Sequence, residues 1–245
     1  MSGHSKWHTI KRKKGAIDAK RGKMFTKIIK ELMVTARMGG GDLEANAKLR
    51  TVVLKAKAAN MPKDNIDRAI KKGAGELGGA DYVELNYEAY GPHGVAIMIE
   101  TLTDNKNRTA ADVRSMLTKG NGALATAGAV SRLFARKGIL EFDGEKYSED
   151  DILAAALDGG AEDVENLGGS ITVTTAPEDF ETVLNALNKA GFQQEMAEIS
   201  MVPDTWVDLE GEAAEKVALL IERLEEYDDV QNVYHNAQIP ESEEE

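Results

Sequence analysis

The sequence predicts an α+β protein: an N-terminal three-helix domain followed by two α/β domains, one inserted in the other. Three observations predict it. Apolar residues recur at helical spacing up to about residue 72, and at strand spacing interleaved with helices after it. Between residues 130 and 204 the elements run βαββαβ, the split pattern of a ferredoxin-like domain. The fragments flanking that stretch, β-β-α before and β-α-β after, are each too small to bury a core, but together they supply six elements. The flanking fragments are therefore expected to make a second sheet-and-helix domain, and 245 residues suffice for two or three such domains.

The chain opens with a basic flexible arm, residues 1–22. Its first thirty residues hold ten Lys or Arg against the single Asp18. A segment this charged and this poor in apolar residues buries too little surface to fold alone, but it can lie along a polyanion and release its counterions. The helical domain, 23–78, follows. Phe25, Ile28, Ile29, Leu32 and Ala36 make one face of a helix over Met24–Met38, with Lys23, Lys27, Lys30 and Arg37 on another. Gly39-Gly40-Gly41 ends it. A second helix, about Leu43–Asn60, buries Leu49, Val52, Val53 and Ala56. Pro62 opens a third, with Ile66, Ala69 and Ile70 inward before Gly73-Ala74-Gly75.

The discontinuous α/β domain takes residues 79–129 and 205–239. Tyr82–Tyr90 and Val95–Leu102 read as strands around the hairpin turn Gly91-Pro92-His93-Gly94. A helix over Ala110–Lys119, capped by Asn107 or Thr109, leads into a Gly/Ala-rich loop over Lys119–Gly128. Trp206–Leu209 as a strand, Glu212–Glu226 as a helix and Val230–Ala237 as a strand complete the domain. The inserted domain, 130–204, begins with a strand at Ile139–Phe142. Ser148 opens a helix to Leu157, and Ala161–Leu167 and Ser170–Thr175 are strands. Pro177 opens a helix to Ala190, and Gln194–Met201 is the last strand. Residues 240–245, PESEEE, form an acidic tail.

Charge is strongly segregated. The net charge of −12 combines 19 Lys/Arg against 6 Asp/Glu in residues 1–72 with 11 against 36 in the remainder. Binding follows local charge rather than the mean. Contact with DNA, or with ribosomal or messenger RNA, is thus expected at the basic N-terminus, leaving the acidic domains for orientation or a protein partner. No apolar run approaches the roughly 20 residues of a membrane helix. The basic start lacks the apolar segment of a secretory signal. With no cysteine, disulfides, thiolate metal sites and a cysteine nucleophile are excluded. The expectation is a cytoplasmic protein without a membrane partner.

The residues placed on phosphates are Lys6, Lys11, Arg12, Lys13, Lys14, Lys20, Arg21 and Lys23, with Lys27 and Lys30 farther along the first helix. Trp7, between Lys6 and Lys11, can stack on an exposed base or plug the arm onto the helices. Gly73-Ala74-Gly75-Glu76-Leu77-Gly78 fits GxGxxG, but it follows a helix, precedes a strand and carries Glu76 where phosphate would sit, so no dinucleotide cofactor is expected. His4 and His8 have i,i+4 spacing in a coil without a third ligand, so no metal is expected. His93 and His235 fall in one predicted domain and could serve a catalytic reading, the least supported of the three considered. No serine elbow or phosphate loop is present, and the protein is read as non-enzymatic.

Several stretches carry a family resemblance: Gly3-His4-Ser5-Lys6-Trp7, DAKRGKMFTKIIKEL (Asp18 to Leu32) and NMPKDNIDRAIKKG (Asn60 to Gly73). YEAYGPHG (Tyr87 to Gly94), DNKNRT (Asp104 to Thr109), GAEDV (Gly160 to Val164) and VYHN (Val233 to Asn236) extend it over nearly the whole chain. On these the sequence resembles the YebC family, which includes PmpR and the mitochondrial translational activator of cytochrome c oxidase. The loop containing Ala123 and Ala129 departs from the family's more polar pattern. The resemblance implies a helical N-terminal domain plus two ferredoxin-like domains, and a non-enzymatic regulator of gene expression. Some members are DNA-binding transcriptional regulators and others act on translating ribosomes. Carried onto this chain, the nucleic-acid contacts fall on Lys6, Trp7, Lys11, Arg12, Lys13, Lys14, Lys20, Arg21 and Lys23, with no catalytic residue to transfer. The expected function is a DNA-binding transcriptional regulator, with a ribosome- or RNA-binding translation factor as the alternative.

Overall fold

The computed structural model describes residues 17–75, 82–167 and 169–239. The first helix, α1 (Ile17–Gly39), starts well before the expected Met24. Its extra turns are rich in Ala, Lys and Arg, which favour helix without needing an apolar face, so periodicity is silent there. Lys20 and Arg21, expected on the flexible arm, therefore stand on α1 with Lys23. Residues 1–16, with Lys6, Trp7, Lys11, Arg12, Lys13 and Lys14, lie outside the described residues, as do 240–245.

α2 (Ala47–Ala58) and α3 (Lys63–Gly73) close on α1. Ile28, Leu32, Met33 and Ala36 of α1 meet Leu49, Val52, Val53 and Ala56 of α2, Met61, and Ile66 and Ala69 of α3 in one buried cluster. Each fully buried aliphatic side chain contributes about 1.5–3 kcal/mol. The turn between α1 and α2 is fixed by the buried Asn46. Its Nδ2 donates to the carbonyls of Thr35 and Gly40, and its Oδ1 accepts from the N–H of Leu49, capping α2. α2 starts at Ala47 rather than Leu43 for this reason. α3 lies so close to α1 that a Cβ on Gly73 would stand 2.2 Å from the Met33 carbonyl oxygen.

Next come β1 (Val83–Tyr90), β2 (Ala96–Thr103), α4 (Lys106–Lys119) and β3 (Ala123–Leu124). α4 begins earlier than expected because Asn105, not Asn107 or Thr109, is its cap, accepting from the Arg108 N–H. The stretch expected to be a plain loop holds β3, paired antiparallel to β1 through Ala89 with Leu124. The inserted segment forms β4 (Phe134–Asp143), α5 (Glu149–Gly159), β5 (Asp163–Leu167), β6 (Ser170–Thr175), α6 (Phe180–Lys189) and β7 (Met196–Pro203). Then follow β8 (Val207–Asp208), α7 (Gly211–Glu225), β9 (Val230–His235) and β10 (Ala237–Gln238).

Two four-stranded antiparallel sheets result, ordered β3-β1-β2-β9 and β5-β6-β4-β7. They share one spatial plan. In the second, β4-α5-β5 straddles β6, with β7 flanking β4. In the first, β2-α4-β3 straddles β1, with β9 flanking β2. The chain simply enters the first at a different strand. Its fourth strand is β3, which corrects the assignment of Trp206–Leu209 to that sheet; β8 is not part of it. Arg132–Asp208 form one compact unit, with Leu140, Phe142, Ile171 and Val173 packed on Ile152, Phe180, Val183 and Leu187. The described residues from Ile17 to Ser131, together with Leu209–Ala237, form the other, so the helical bundle and the discontinuous sheet belong to a single unit.

Candidate nucleic-acid interface

The lysine face of α1 divides in two. Lys23 is exposed, without a polar partner among the described residues. Lys27 donates to the Glu225 carbonyl at 2.7 Å, and Lys30 to the Asp228 carbonyl at 2.8 Å. Lys30 also pairs with Asp229 at 3.4 Å and lies 5.4 Å from the centre of the Tyr82 ring. Both ammoniums thus sit at the C-terminal end of α7, where orphan carbonyls and the helix dipole favour a cation. Burial is the main cause lowering Lys27 to about 8, with Lys55 and Lys23 adding to it against the pull of Glu225 and Asp228. Lys27 and Lys30, expected on phosphate, are thus found bonded to the end of α7 and the turn after it, and they tie α1 to the α/β sheet.

Other basic side chains of the bundle are also occupied. Lys48 pairs with Glu84 at 2.9 Å, Lys55 with Glu31 at 3.1 Å, and Arg50 donates to the carbonyls of Leu43 and Glu44.

Beside Lys30 lies a polar cluster, built on the buried Asp229, that sequence reading missed. The Asp229 Oδ2 accepts from Arg108 at 2.8 Å, Thr109 at 2.9 Å and Thr103 at 3.1 Å. Burial pushes the Asp229 carboxyl up, but the hydrogen bonds from Arg108 and Thr109 and the charge of Lys30 bring it below its ordinary value. Arg108 also meets Asp104 at 2.9 Å, and the Tyr227 hydroxyl donates to Asp112 at 2.6 Å. The motif DNKNRT is therefore the partner of a buried aspartate 120 residues away from Thr109. The available signal was an Asp immediately before an apolar strand, but nothing local names its partners.

Glu88, in the YEAY motif, accepts from the backbone N–H of Gly128, Val130 and Ser131 at 2.7, 2.6 and 2.9 Å. Partial desolvation raises its carboxyl, and the three N–H donors outweigh that and lower it. The carboxylate thereby anchors the chain just before it enters the inserted unit.

His93 and His235 do not form a working pair. His93 is exposed in the turn before β2, at a left-handed φ of 60°. His235 is 3% exposed, and its Nδ1 accepts from the Ala237 N–H at 3.3 Å. Burial drives it down to about 4, so it is neutral and its backbone contact is internal. His4, His8 and Glu76 to Gly78 lie outside the described residues. Among the described residues there is no group of three His, Cys, Asp or Glu placed to hold a metal ion, and no helix is long and apolar enough to cross a membrane.

Fold and surface define an α+β protein that joins a basic helical domain to two ferredoxin-like α/β domains. Residues 5–76 match the family described as the TACO1/YebC protein N-terminal domain, and residues 82–237 match the TACO1/YebC second and third domain. The chain belongs to the TACO1/YebC family. It is 59% identical over 240 residues to a protein of Treponema pallidum (strain Nichols) named "Probable transcriptional regulatory protein", covering 98% of each chain. A Borrelia garinii protein of the same description is 56% identical over 241 residues, covering 98% of this chain and 99% of the other. The crystal structure of a conserved hypothetical protein from Aquifex aeolicus superposes with a TM-score of 0.84 at 46% identity, over 96% of this chain and 97% of that one.

Proposed function

We propose that the protein is a non-enzymatic, nucleic-acid-binding regulator of gene expression, acting as a DNA-binding transcriptional regulator. The observation that carries this reading is the segregation of charge: 19 Lys/Arg against 6 Asp/Glu in residues 1–72, on a chain whose net charge is −12. A basic end of this density attracts a phosphate backbone while the acidic remainder repels it, so the acidic domains orient the complex or receive a protein partner. The names of the Treponema and Borrelia relatives support a regulatory role. On this reading Lys6, Trp7, Lys11, Arg12, Lys13, Lys14, Lys20, Arg21 and Lys23 face the nucleic acid.

Ribosomal or messenger RNA is the second reading. Trp7, set between Lys6 and Lys11, favours it, since an aromatic ring among cations suits an unpaired base better than a closed duplex. Deleting residues 1–16 removes Lys6, Trp7, Lys11, Arg12, Lys13 and Lys14 and keeps all of the described helix α1. The full chain and this deletion would be sedimented with ribosomes, with duplex DNA as competitor. Duplex binding that requires residues 1–16, with no ribosome association, is the expected outcome. Ribosome association that excess duplex fails to displace would replace the first reading by the second.

A further inference from the structure

We infer that the outer face of α3, formed by Arg68, Lys71 and Lys72, is a second phosphate-contact surface, separate from the N-terminal segment; it rests on the nucleic-acid reading above. On the bundle, Lys27, Lys30, Lys48, Arg50 and Lys55 all bond to groups within the protein. Lys57, Lys63, Arg68, Lys71 and Lys72 are exposed and have no polar partner among the described residues. Apart from Lys23, the exposed cations of the bundle without a polar partner among the described residues therefore fall between residues 57 and 72. Ile66, Ala69 and Gly73 face the core, which by helical spacing turns Arg68, Lys71 and Lys72 together onto the opposite side, within about one turn of one another. Asp64 and Asp67 share that side and pair with none of them, so it remains net positive.

Lys71 and Lys72 lie in the last turn of α3, where cations also complement the helix dipole. That local role explains two charges at the helix end. It does not explain Arg68 one turn earlier, nor Lys57 in the last turn of α2. α3 ends against Met33 of α1, sixteen residue steps and about 24 Å along the axis from Ile17. The α3 face is therefore well separated from the start of α1.

The test is the salt dependence of binding to duplex DNA and to duplex RNA, for the full chain, R68Q/K71Q/K72Q, and the charge-preserving K71R/K72R. If all three residues touch phosphate, the slope of log affinity against log salt on DNA flattens by about 2.7 in the neutralised variant, while K71R/K72R matches the full chain. The duplex that shows the flattening is the ligand. A neutralised variant with an unchanged slope, alongside a 1–16 deletion that binds weakly, overturns the α3 surface and leaves the function standing. Failure of the full chain to bind either duplex overturns both. Loss of binding in K71R/K72R would assign the effect to helix distortion and overturn the inference.

Discussion

His235 shows how one buried side chain turns pH into stability. Its folded-state value of about 4 lies below that of an ordinary imidazole. The unfolded chain therefore takes up the proton first. The contribution is fully present above about pH 6.5 and is lost as pH falls toward 4. Integrated over that window it amounts to about 3 kcal/mol. Urea unfolding at pH 7 and at pH 4.5 should show this loss in the parent chain. His235→Gln, whose amide oxygen can still accept from Ala237, should flatten the difference; an unchanged difference would exonerate His235. The residue was visible in the sequence as a histidine in a strand, but its burial was not.

At the scale of elements, the bundle depends on close backbone approach as well as on its apolar core. The Gly73-Ala74-Gly75 run reads from sequence as a helix stop, and it is one. The sequence does not show that Gly73 is also the contact through which α3 rests on α1. A methyl there would meet the Met33 carbonyl at 2.2 Å, backbone that cannot swing aside. Gly73→Ala is expected to destabilise the protein by about 2 kcal/mol despite its gain in helix propensity. A higher urea midpoint for this variant would show that the helices separate without cost. Helix boundaries were less legible. The start of α1 at Ile17 left no apolar periodicity, and Asn46 and Asn105 became caps through contacts that the flanking sequence only allows.

Across the molecule, the bundle and the discontinuous sheet are held together by Lys27 and Lys30 on the carbonyls of Glu225 and Asp228, and by the pair of Lys30 with Asp229, which Arg108, Thr103 and Thr109 position. Replacing Asp229 by Asn leaves Arg108 and Lys30 without their shared carboxylate. The variant is expected to unfold at a lower urea midpoint than the parent, since two cations lose the carboxylate they share. Because Lys30 belongs to α1, the loss should reach the bundle. Amide exchange is expected to quicken in α1 and β9 of Asp229→Asn, while β4 to β7, in their own compact unit, keep the parent's protection. Uniform quickening across both units would mean that Asp229 supports global stability and does not join these two parts in particular.

The sequence by itself determined the class of the fold, the βαββαβ order of the insertion, the segregation of charge and the family, because these reside in periodicity, composition and local motifs. Tertiary structure decided which lysines are free. Lys23, Lys27 and Lys30 look alike along the chain, yet two of them end on carbonyls at the end of α7 and just beyond it, nearly 200 residues away. It also decided that β3, and not Trp206–Leu209, completes the first sheet, and that DNKNRT closes around Asp229. The reason is physical: a charged or capping group is assigned by what lies within about 3 Å of it, and that neighbour is chosen by chain topology, not by sequence distance.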